Sequence, residues 1–233
     1  MTDFTTLRRQ MVKYQIAVKG IKSKAVLQAL KIVPREEFVP DDLKKFSYQD
    51  TPLPIGEGQT ISQPYIVALM IQSLNLKGGE KVLEIGTGSG YAAAILSQIA
   101  DKVYSIERIG KIASKAAATI RSLGYTNVHV LHADGTLGWD EHAPYDAIVV
   151  TAGGPSVPST LKEQLKVGGC LVIPVGSDKY LQELVKVTRI SAVEYTEEHI
   201  IDVRFVPLIG EEGWMSENVS NEEFLSERKN ARI

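Results

Sequence analysis

The residues best suited to bind a ligand in this chain of 233 residues are a run of glycines and the acids near it. Gly86, Gly88 and Gly90 alternate with small polar residues, and Glu84 stands just before them. Glycines let the backbone turn sharply and approach a ligand closely, and free N–H groups at a helix start attract polar or anionic atoms. The pattern predicts a loop that cradles a cofactor, provided that a strand precedes it and a helix follows it.

Three acids indicate which cofactor this loop binds. Glu107 follows the first glycine at the distance at which an acid typically hydrogen-bonds ribose hydroxyls. Asp134 precedes Gly135, and its carboxylate could accept a hydrogen bond from an adenine amino group. Glu84 would repel a pyrophosphate but suits the ammonium group of an amino acid. Tyr91 occupies the position where a dinucleotide fingerprint requires glycine or alanine. Amino acid, ribose and adenine together predict S-adenosylmethionine.

An alternation of strands and helices must position these residues. Apolar strands are predicted at 82–85, 103–106, 128–131, 146–150 and 170–175, and helices at 91–100, 111–123 and 158–165. Such an alternation implies a parallel sheet that is covered on both faces. The three acids then lie near the carboxyl ends of three successive strands, at the edge where folds of this kind bind ligands.

The flanking segments complete the predicted fold class, a doubly wound α/β fold with a mostly parallel sheet. Apolar spacing predicts two helices within residues 5–33, the second capped by Ser23, and another helix at 64–75. Two longer strands at 181–190 and 199–208 predict an antiparallel C-terminal edge, and a final helix is expected within 215–233. Hydrophobic residues make up 44% and charged residues 23%, as in ordinary globular proteins.

Few residues are suited to act as a nucleophile or a general base. Cys170, the single cysteine, begins an apolar strand and is expected in the core, and His129 and His132 are expected to be structural. The histidines show no ligand-like clustering, so no metal site is predicted. An acceptor that is already anionic at neutral pH, such as a carboxylate with a pKa of about 4, needs no general base. The enzyme must then hold that oxygen in line with the methyl group and exclude water.

A polar loop at 56–64 is suited to hold such an acceptor. It contains two glycines, and its hydroxyl and amide groups, including those of Gln59 and Ser62, can donate hydrogen bonds to a carboxylate. Ser62 is equally suited to be the N-cap of the helix that begins at Pro64. From the residue types alone, both interpretations of Ser62 stay open.

Charge is distributed unevenly along the chain, whose net charge is −2. Residues 1–35 contain eight lysines or arginines and one acid, whereas residues 190–233 contain ten acids and four bases. A basic segment can bind nucleic acid, but solvated helix faces are the more frequent explanation and the one preferred here. The N-terminus lacks the apolar core of a signal peptide, and no apolar run approaches the ~18 residues of a membrane helix. The expected location is the cytoplasm.

Five stretches of the sequence resemble the protein-L-isoaspartate O-methyltransferase family. They are residues 58–64 (GQTISQP), 82–91 (VLEIGTGSGY), 145–152 (YDAIVVTA) with the downstream Pro158, 165–169 (LKVGG) and 203–208 (VRFVPL). The resemblance extends from about Leu7 to Trp214, and its first stretch is specific to this family among methyltransferases. It implies one methyltransferase domain at 1–214, with N-terminal helices and an active-site loop at 1–75 and a cofactor-binding core at 76–214. An acidic tail at 215–233 follows.

The resemblance implies methyl transfer from S-adenosylmethionine to the α-carboxylate of L-isoaspartyl residues in damaged proteins and peptides (EC 2.1.1.77). The ester then collapses to a succinimide, and hydrolysis returns some normal aspartate. In the family the serine at this position lines the active site, which favours the catalytic interpretation of Ser62. The expected substrate-binding residues are Gln59, Thr60, Ile61, Ser62, Val203 and Arg204. The expected cofactor-binding residues are Glu84, Ile85, Gly86, Thr87, Gly88, Ser89, Glu107, Arg108, Asp134, Gly135 and Thr151.

Three alternatives to this activity remain at the level of sequence. An RNA methyltransferase is favoured by the basic N-terminal segment, but no Asn-Pro-Pro-Tyr-type motif follows the fourth strand. A nicotinamide-dependent oxidoreductase is disfavoured by Tyr91 and Glu84. A cofactor-binding protein without catalysis is disfavoured by the intact loop around Ser62. The expected partners are isoaspartyl proteins and peptides, with no nucleic acid or membrane, and the sequence leaves open whether the protein is a monomer or a homo-oligomer.

Overall fold

The computed structural model describes residues 3–179 and 181–215. The helix expected in the acidic tail therefore lies outside the described residues, apart from Met215. No helix of the described part combines the length and the apolar character that crossing a membrane requires.

A mixed sheet of seven strands forms the centre of the fold, with the order β5-β4-β3-β6-β7-β8-β9. Its strands are β3 (Lys81–Ile85), β4 (Lys102–Glu107), β5 (Val128–His132), β6 (Tyr145–Val150), β7 (Leu165–Asp178), β8 (Leu181–Arg189) and β9 (Tyr195–Val203). Strands β3 to β7 pair in parallel, and β8 and β9 continue the sheet in antiparallel orientation. The strand order reverses direction beside β3, which makes the carboxyl end of β3 the topological switch point of the sheet. This confirms the predicted fold class.

Helices cover both faces of this sheet. They are α1 (Phe4–Met11), α2 (Lys24–Ile32), α3 (Pro64–Ser73), α4 (Tyr91–Ser97), α5 (Gly110–Ser122) and α6 (Ser159–Glu163). Alternate residues of each central strand point to opposite faces. Val82 therefore packs with the N-terminal helices in one hydrophobic cluster, whereas Leu83 packs in a second cluster on the other face.

The N-terminal region is less regular than the apolar spacing predicts. Helix α1 continues as a π-helical turn at Val12–Ile16 and a 3-10 turn at Ala17–Lys19, and Gly20 ends this segment in the left-handed conformation with φ of 97°. The prediction that Ser23 caps the second helix is confirmed, because its side chain accepts a hydrogen bond from the Val26 N–H.

The proline-rich stretch that follows contains short elements that the sequence does not show. They are two 3-10 segments (Arg35–Phe38 and Asp41–Phe46) and an antiparallel hairpin of β1 (Leu53–Gly56) and β2 (Gln59–Ile61). The hairpin ends directly before α3, so it places the polar loop beside the sheet.

The last predicted strand, 199–208, is wrong in its position, because β9 covers Tyr195–Val203 instead. Beyond it the chain leaves the sheet edge and runs beside Gly153. The Gly153 N–H donates to the Val206 carbonyl and the Leu208 N–H donates to the Gly153 carbonyl, both at 2.8 Å. This departure brings residues 206–209 to the carboxyl edge of the sheet.

Two arginines of the basic N-terminal segment are not on a solvated face, contrary to the preferred interpretation. Arg35 is 0% exposed. Arg8 forms an ion pair of 2.9 Å with Glu36 and donates to the Tyr48 hydroxyl at 2.7 Å. These two side chains hold the N-terminal segments together.

Candidate active site

A cleft opens at the carboxyl ends of β3, β4 and β6, between the glycine loop and the hairpin β1–β2. Most of the residues expected to bind cofactor or substrate line it. They are Gln59, Thr60, Ile61, Ser62, Ile85, Gly86, Thr87, Gly88, Ser89, Glu107, Arg108, Gly135 and Thr151. Four expected residues, Glu84, Asp134, Val203 and Arg204, are not part of its wall.

The glycine loop follows β3 and leads into α4, as its pattern requires. Gly86, Gly88 and Gly90 have φ of 93°, 52° and 90°, a backbone conformation that favours glycine. A Cβ at Gly86 would lie 2.5 Å from the Thr151 hydroxyl oxygen. That hydroxyl donates to the Gly86 carbonyl at 2.7 Å, so Thr151 holds the loop against the end of β6.

Glu107 ends β4 and faces the cleft with 7% of its surface exposed. One carboxylate oxygen accepts from the Gly88 N–H and the other from the Ile109 N–H, both at 2.9 Å. Each oxygen keeps a further lone pair, because a carboxylate can accept about four hydrogen bonds. Glu107 can therefore hold the glycine loop and accept from ribose hydroxyls at the same time.

Glu84 lies beneath the glycine loop and is 0% exposed. It accepts a hydrogen bond from the Ser105 hydroxyl, which lies 2.6 Å from the Thr87 hydroxyl. Burial raises the pKa of Glu84 to about 8, and the nearby charge of Glu107 adds to this effect. Glu84 is thus a neutral acid that supports the loop from below. A direct contact between Glu84 and an ammonium group stays a prediction, one that this burial argues against.

Asp134 is occupied by contacts within the protein. One of its oxygens accepts from the Thr136 N–H and hydroxyl, both at 2.8 Å, and the other accepts from the Glu211 N–H at 2.8 Å. The carboxylate therefore ties the segment after residue 208 to the end of β5. Its neighbour Gly135 forms the wall of the cleft, and a Cβ there would overlap the Cγ2 atom of Ile85.

The structure separates the two interpretations of Ser62. The N-cap residue of α3 is Gln63 rather than Ser62, and the side chain of Gln63 forms no capping hydrogen bond. Asp50, which is remote along the chain, caps α3 instead. Its carboxylate accepts hydrogen bonds from the Tyr65 N–H at 2.8 Å and from the Gln63 side-chain amide at 3.0 Å. Ser62 instead stands on the wall of the cleft, where it can contact a substrate. Its role in catalysis stays a prediction.

Val203 and Arg204 stand at the end of β9, away from the cleft wall. Val203 is 7% exposed and pairs with Gln182, and Arg204 is exposed. The cleft is closed on this side by the segment 206–209 instead. The role of Val203 and Arg204 in holding a substrate backbone outside the cleft stays a prediction.

Arg35 is a residue of the site that the sequence does not reveal. Its Nη2 donates to the Ser62 carbonyl at 2.9 Å, and its guanidinium carbon lies 4.8 Å from the centre of the Tyr91 ring. In the sequence Arg35 is one of eight bases in a segment that resembles a solvated surface. No local pattern distinguishes it, because its partners are remote along the chain.

The cleft wall offers no thiol, imidazole or amine among the described residues. Its ionisable side chains are those of Tyr91, Glu107 and Arg108. Cys170 is in the core, as expected: it is 6% exposed, donates to the Leu74 carbonyl, and burial raises the pKa of its thiol. His132 contacts the Arg108 carbonyl at 3.1 Å without joining the wall.

A doubly wound sheet with a glycine loop after β3, an acid ending β4 and a cleft at the switch point defines the class of Rossmann-like methyltransferases that use S-adenosylmethionine. Within this class, the family model described as Protein-L-isoaspartate(D-aspartate) O-methyltransferase (PCMT) matches residues 6–213. The chain belongs to this family.

Individual relatives are similar over nearly the whole chain. The chain is 57% identical to Protein-L-isoaspartate O-methyltransferase 1 of Rhodopseudomonas palustris (strain HaA2), and the alignment covers 92% of this chain and 88% of that relative. It is also 57% identical to Protein-L-isoaspartate O-methyltransferase 2 of Marinobacter nauticus, over 91% of this chain and 97% of that relative.

Solved structures of this family are similar to the chain as well. A protein-L-isoaspartate O-methyltransferase superposes with a TM-score of 0.80 at 31% identity, covering 88% of this chain and 67% of its own. A Plasmodium falciparum protein described as a putative member of the family, in complex with S-adenosyl-L-homocysteine, has a TM-score of 0.76 at 26% identity. It covers 87% of this chain and 98% of its own.

Proposed function

We propose that this chain transfers a methyl group from S-adenosylmethionine to the α-carboxylate of L-isoaspartyl residues in proteins and peptides. The observation that carries this proposal is the composition of the cleft. The Ser62 loop and the glycine loop both line it, its described wall contains no thiol, imidazole or amine, and both oxygens of its one carboxylate, Glu107, accept from backbone N–H groups. The family to which the chain belongs catalyses this reaction and supports the proposal.

Two glycines in the wall of the cleft let its backbone pack closely against neighbouring side chains and leave only backbone atoms to meet a cofactor at these positions. Gly86 and Gly135 stand where a side chain would collide with Thr151 and Ile85. Glu107 can accept from ribose hydroxyls through its remaining lone pairs. The cofactor supplies an electrophilic methyl group carried on a sulfonium. All other requirements of the reaction fall on the residues of the chain.

The acceptor is held by the polar wall of the cleft. Gln59, Thr60 and Ser62 offer amide and hydroxyl donors that can hydrogen-bond a carboxylate. A carboxylate with a pKa of about 4 is already ionised at neutral pH, so no proton has to be removed. The chain contributes orientation, which can lower a barrier by several kcal/mol, and the apolar segment 206–209 shields the acceptor from water.

The product explains why such a reaction serves repair. Methoxide is a far better leaving group than the oxide of a carboxylate, so the neighbouring amide nitrogen can attack the ester carbonyl carbon. The C–N bond of the succinimide forms as the C–OCH3 bond breaks, and the methoxide leaves as methanol with the amide proton. Hydrolysis of this ring gives back some normal aspartate, and the remainder re-enters the cycle. The partners of the enzyme are therefore proteins and peptides that contain isoaspartyl linkages, and we expect it to meet them in the cytoplasm.

A labelling experiment tests this proposal directly. The protein is incubated with S-adenosylmethionine labelled on its methyl group and with an isoaspartyl peptide, the same peptide with normal aspartate, or transfer RNA. We expect base-labile label in the isoaspartyl peptide alone. Equal label in both peptides would refute the specificity, and label in the RNA would favour the RNA methyltransferase alternative, which the family match does not support.

A further inference from the structure

We propose that Arg35 is a positioning residue that holds the Ser62 loop and the start of α4 in a fixed relation, so that acceptor and methyl donor meet in line. The inference rests on the proposed function for its effect on catalysis. Its structural part rests on contacts of the described residues alone.

The Arg35 guanidinium connects segments that are remote from one another along the chain. Its Nε donates to the Ser47 carbonyl at 2.9 Å and its Nη2 to the Ser62 carbonyl at 2.9 Å. The Thr51 carbonyl lies 3.5 Å from the same Nη2. These carbonyls belong to the end of a 3-10 segment, to the chain before β1 and to the chain after β2. One planar group thus fixes both ends of the hairpin that carries the polar wall of the cleft.

The same guanidinium packs against the start of the helix behind the glycine loop. Its carbon lies 4.8 Å from the centre of the Tyr91 ring, and Tyr91 is the first residue of α4 and 1% exposed. The ring of Phe38 meets that of Tyr91 edge to face at 5.7 Å, so the tyrosine ring is packed by a second aromatic side chain. Arg35 therefore lies between the residue next to Gly90 and the backbone of Ser62.

A lysine could not perform this role. Burial of a cation is costly, and burial lowers the pKa of Arg35 although Tyr91, Tyr48 and Asp50 oppose this shift. The guanidinium offers several N–H groups in one rigid plane, so it can bind carbonyls in different directions and still stack on a ring. An ammonium on a flexible chain keeps the charge but loses this geometry. Arg35→Lys therefore tests the positioning role of the guanidinium group, because this variant keeps a basic side chain and loses the contacts to several carbonyls.

Arg189, which is half-buried rather than fully buried, provides a control matched to Arg35 in its contacts to backbone carbonyls and to a tyrosine ring. It also holds backbone carbonyls, those of Glu163 at 2.7 Å and Leu165 at 2.6 Å among them. Leu165 begins β7, so these contacts lie at the amino end of the parallel strands, opposite the cleft. Arg189→Lys should thus disturb a similar number of backbone contacts without moving the Ser62 loop.

The test compares both variants with the unchanged protein in three measurements. They are steady-state methylation of an isoaspartyl peptide, cofactor affinity by calorimetry, and hydrogen exchange of peptides that cover residues 57–66. For Arg35→Lys we expect kcat to fall by about 10- to 100-fold, since a displacement of ~1 Å can cost this much. The Kd of the cofactor should change by less than about threefold, which is under 1 kcal/mol. Exchange in 57–66 should become faster. Arg189→Lys should leave kcat and this exchange unchanged.

The inference is overturned if Arg35→Lys and Arg189→Lys lower kcat equally, or if exchange in 57–66 is the same in both. If Arg35→Lys does not fold, Arg35→Gln, which keeps one donor for the Ser62 carbonyl, takes its place with the same expected order of effects. If the unchanged protein does not methylate the peptide, the proposed function fails. The exchange comparison still decides whether Arg35 positions the loop.

Discussion

Replacing Glu84 with glutamine should remove a pH dependence of stability that this residue imposes. Glu84 is fully buried beneath the glycine loop, and burial raises its pKa from 4.5 to about 8. The folded protein therefore keeps a proton on Glu84 at pH values where the unfolded chain has lost it. A glutamine is neutral at every pH, and its amide oxygen can still accept the hydrogen bond from Ser105.

The magnitude follows from these two pKa values. Between pH 4.5 and about 8 the folded state binds one proton more than the unfolded state at this site, so the free energy of unfolding falls as the pH rises. The slope is about 1.4 kcal/mol per pH unit, and the whole interval corresponds to roughly 5 kcal/mol. Below pH 4.5 both states are protonated, and above about 8 both are ionised, so the contribution of Glu84 is constant there.

Chemical denaturation at a series of pH values between 4 and 9 measures this effect. The free energy of unfolding of Glu84→Gln minus that of the unchanged protein should increase by roughly 5 kcal/mol across the series. Glu163→Gln, which changes an exposed glutamate at the end of α6, is the control and should give a difference that hardly varies with pH. Parallel curves for Glu84→Gln and the unchanged protein would show that Glu84 is ionised in the folded state, and would refute the reasoning.

Three further substitutions test the cleft itself. Glu107→Ala removes the acceptor expected for ribose and should weaken cofactor binding by ~1–3 kcal/mol in calorimetry; an unchanged affinity would exclude Glu107 from the site. Ser62→Ala should abolish most methyl transfer to an isoaspartyl peptide while the cofactor Kd stays the same, and normal turnover would leave Ser62 without a catalytic role. Gly135→Ala places a Cβ against Ile85 and should weaken cofactor binding at least tenfold, or ~1.4 kcal/mol, in calorimetry. An unchanged Kd would show that Ile85 shifts without narrowing the cleft and would refute this prediction.

The sheet and its glycine loop could be predicted because their signals are local. The loop follows an apolar strand and opens a helix, and the acid that ends β4 stands at a characteristic distance from the first glycine. Gly86, Gly88 and Glu107 accordingly lie together at the cleft, as their spacing predicts. The wrong boundary of the last strand has a different origin. Residues 204–208 have the composition of a strand, but Val206 and Leu208 hydrogen-bond the backbone of Gly153. The Phe205 N–H donates to the side chain of Gln182, so this segment does not extend the backbone pairing with β8.

The roles of the buried charges could not be predicted, because they depend on what surrounds each side chain. Glu84 shares a face of β3 with Val82, towards the helices, whereas Ile85 points to the opposite face. The alternation of strand residues predicts the face of the sheet to which Glu84 points. It does not predict that the carboxyl group on that face is completely buried. Arg35 gives no signal at all, since its partners Ser47 and Ser62 lie 12 and 27 residues away along the chain.

The division of charge around the cleft fits an acceptor that is itself an anion. A substrate carboxylate that enters the cleft meets hydroxyl and amide donors on one wall, and the other wall carries one acid, Glu107, and one base, Arg108. Both oxygens of Glu107 accept hydrogen bonds from backbone N–H groups, those of Gly88 and Ile109, which partly offset its charge. A second ionised carboxylate at Glu84 would add repulsion that is poorly screened in a buried environment. Complete burial of Glu84 keeps that side chain neutral and provides the loop with a support that does not repel the substrate.

The substitution that removes the pH dependence of stability, Glu84→Gln, should therefore leave the affinity for an isoaspartyl peptide nearly unchanged at neutral pH. A Glu84→Gln protein with a markedly lower KM for the peptide would show instead that Glu84 carries a charge that the substrate must overcome.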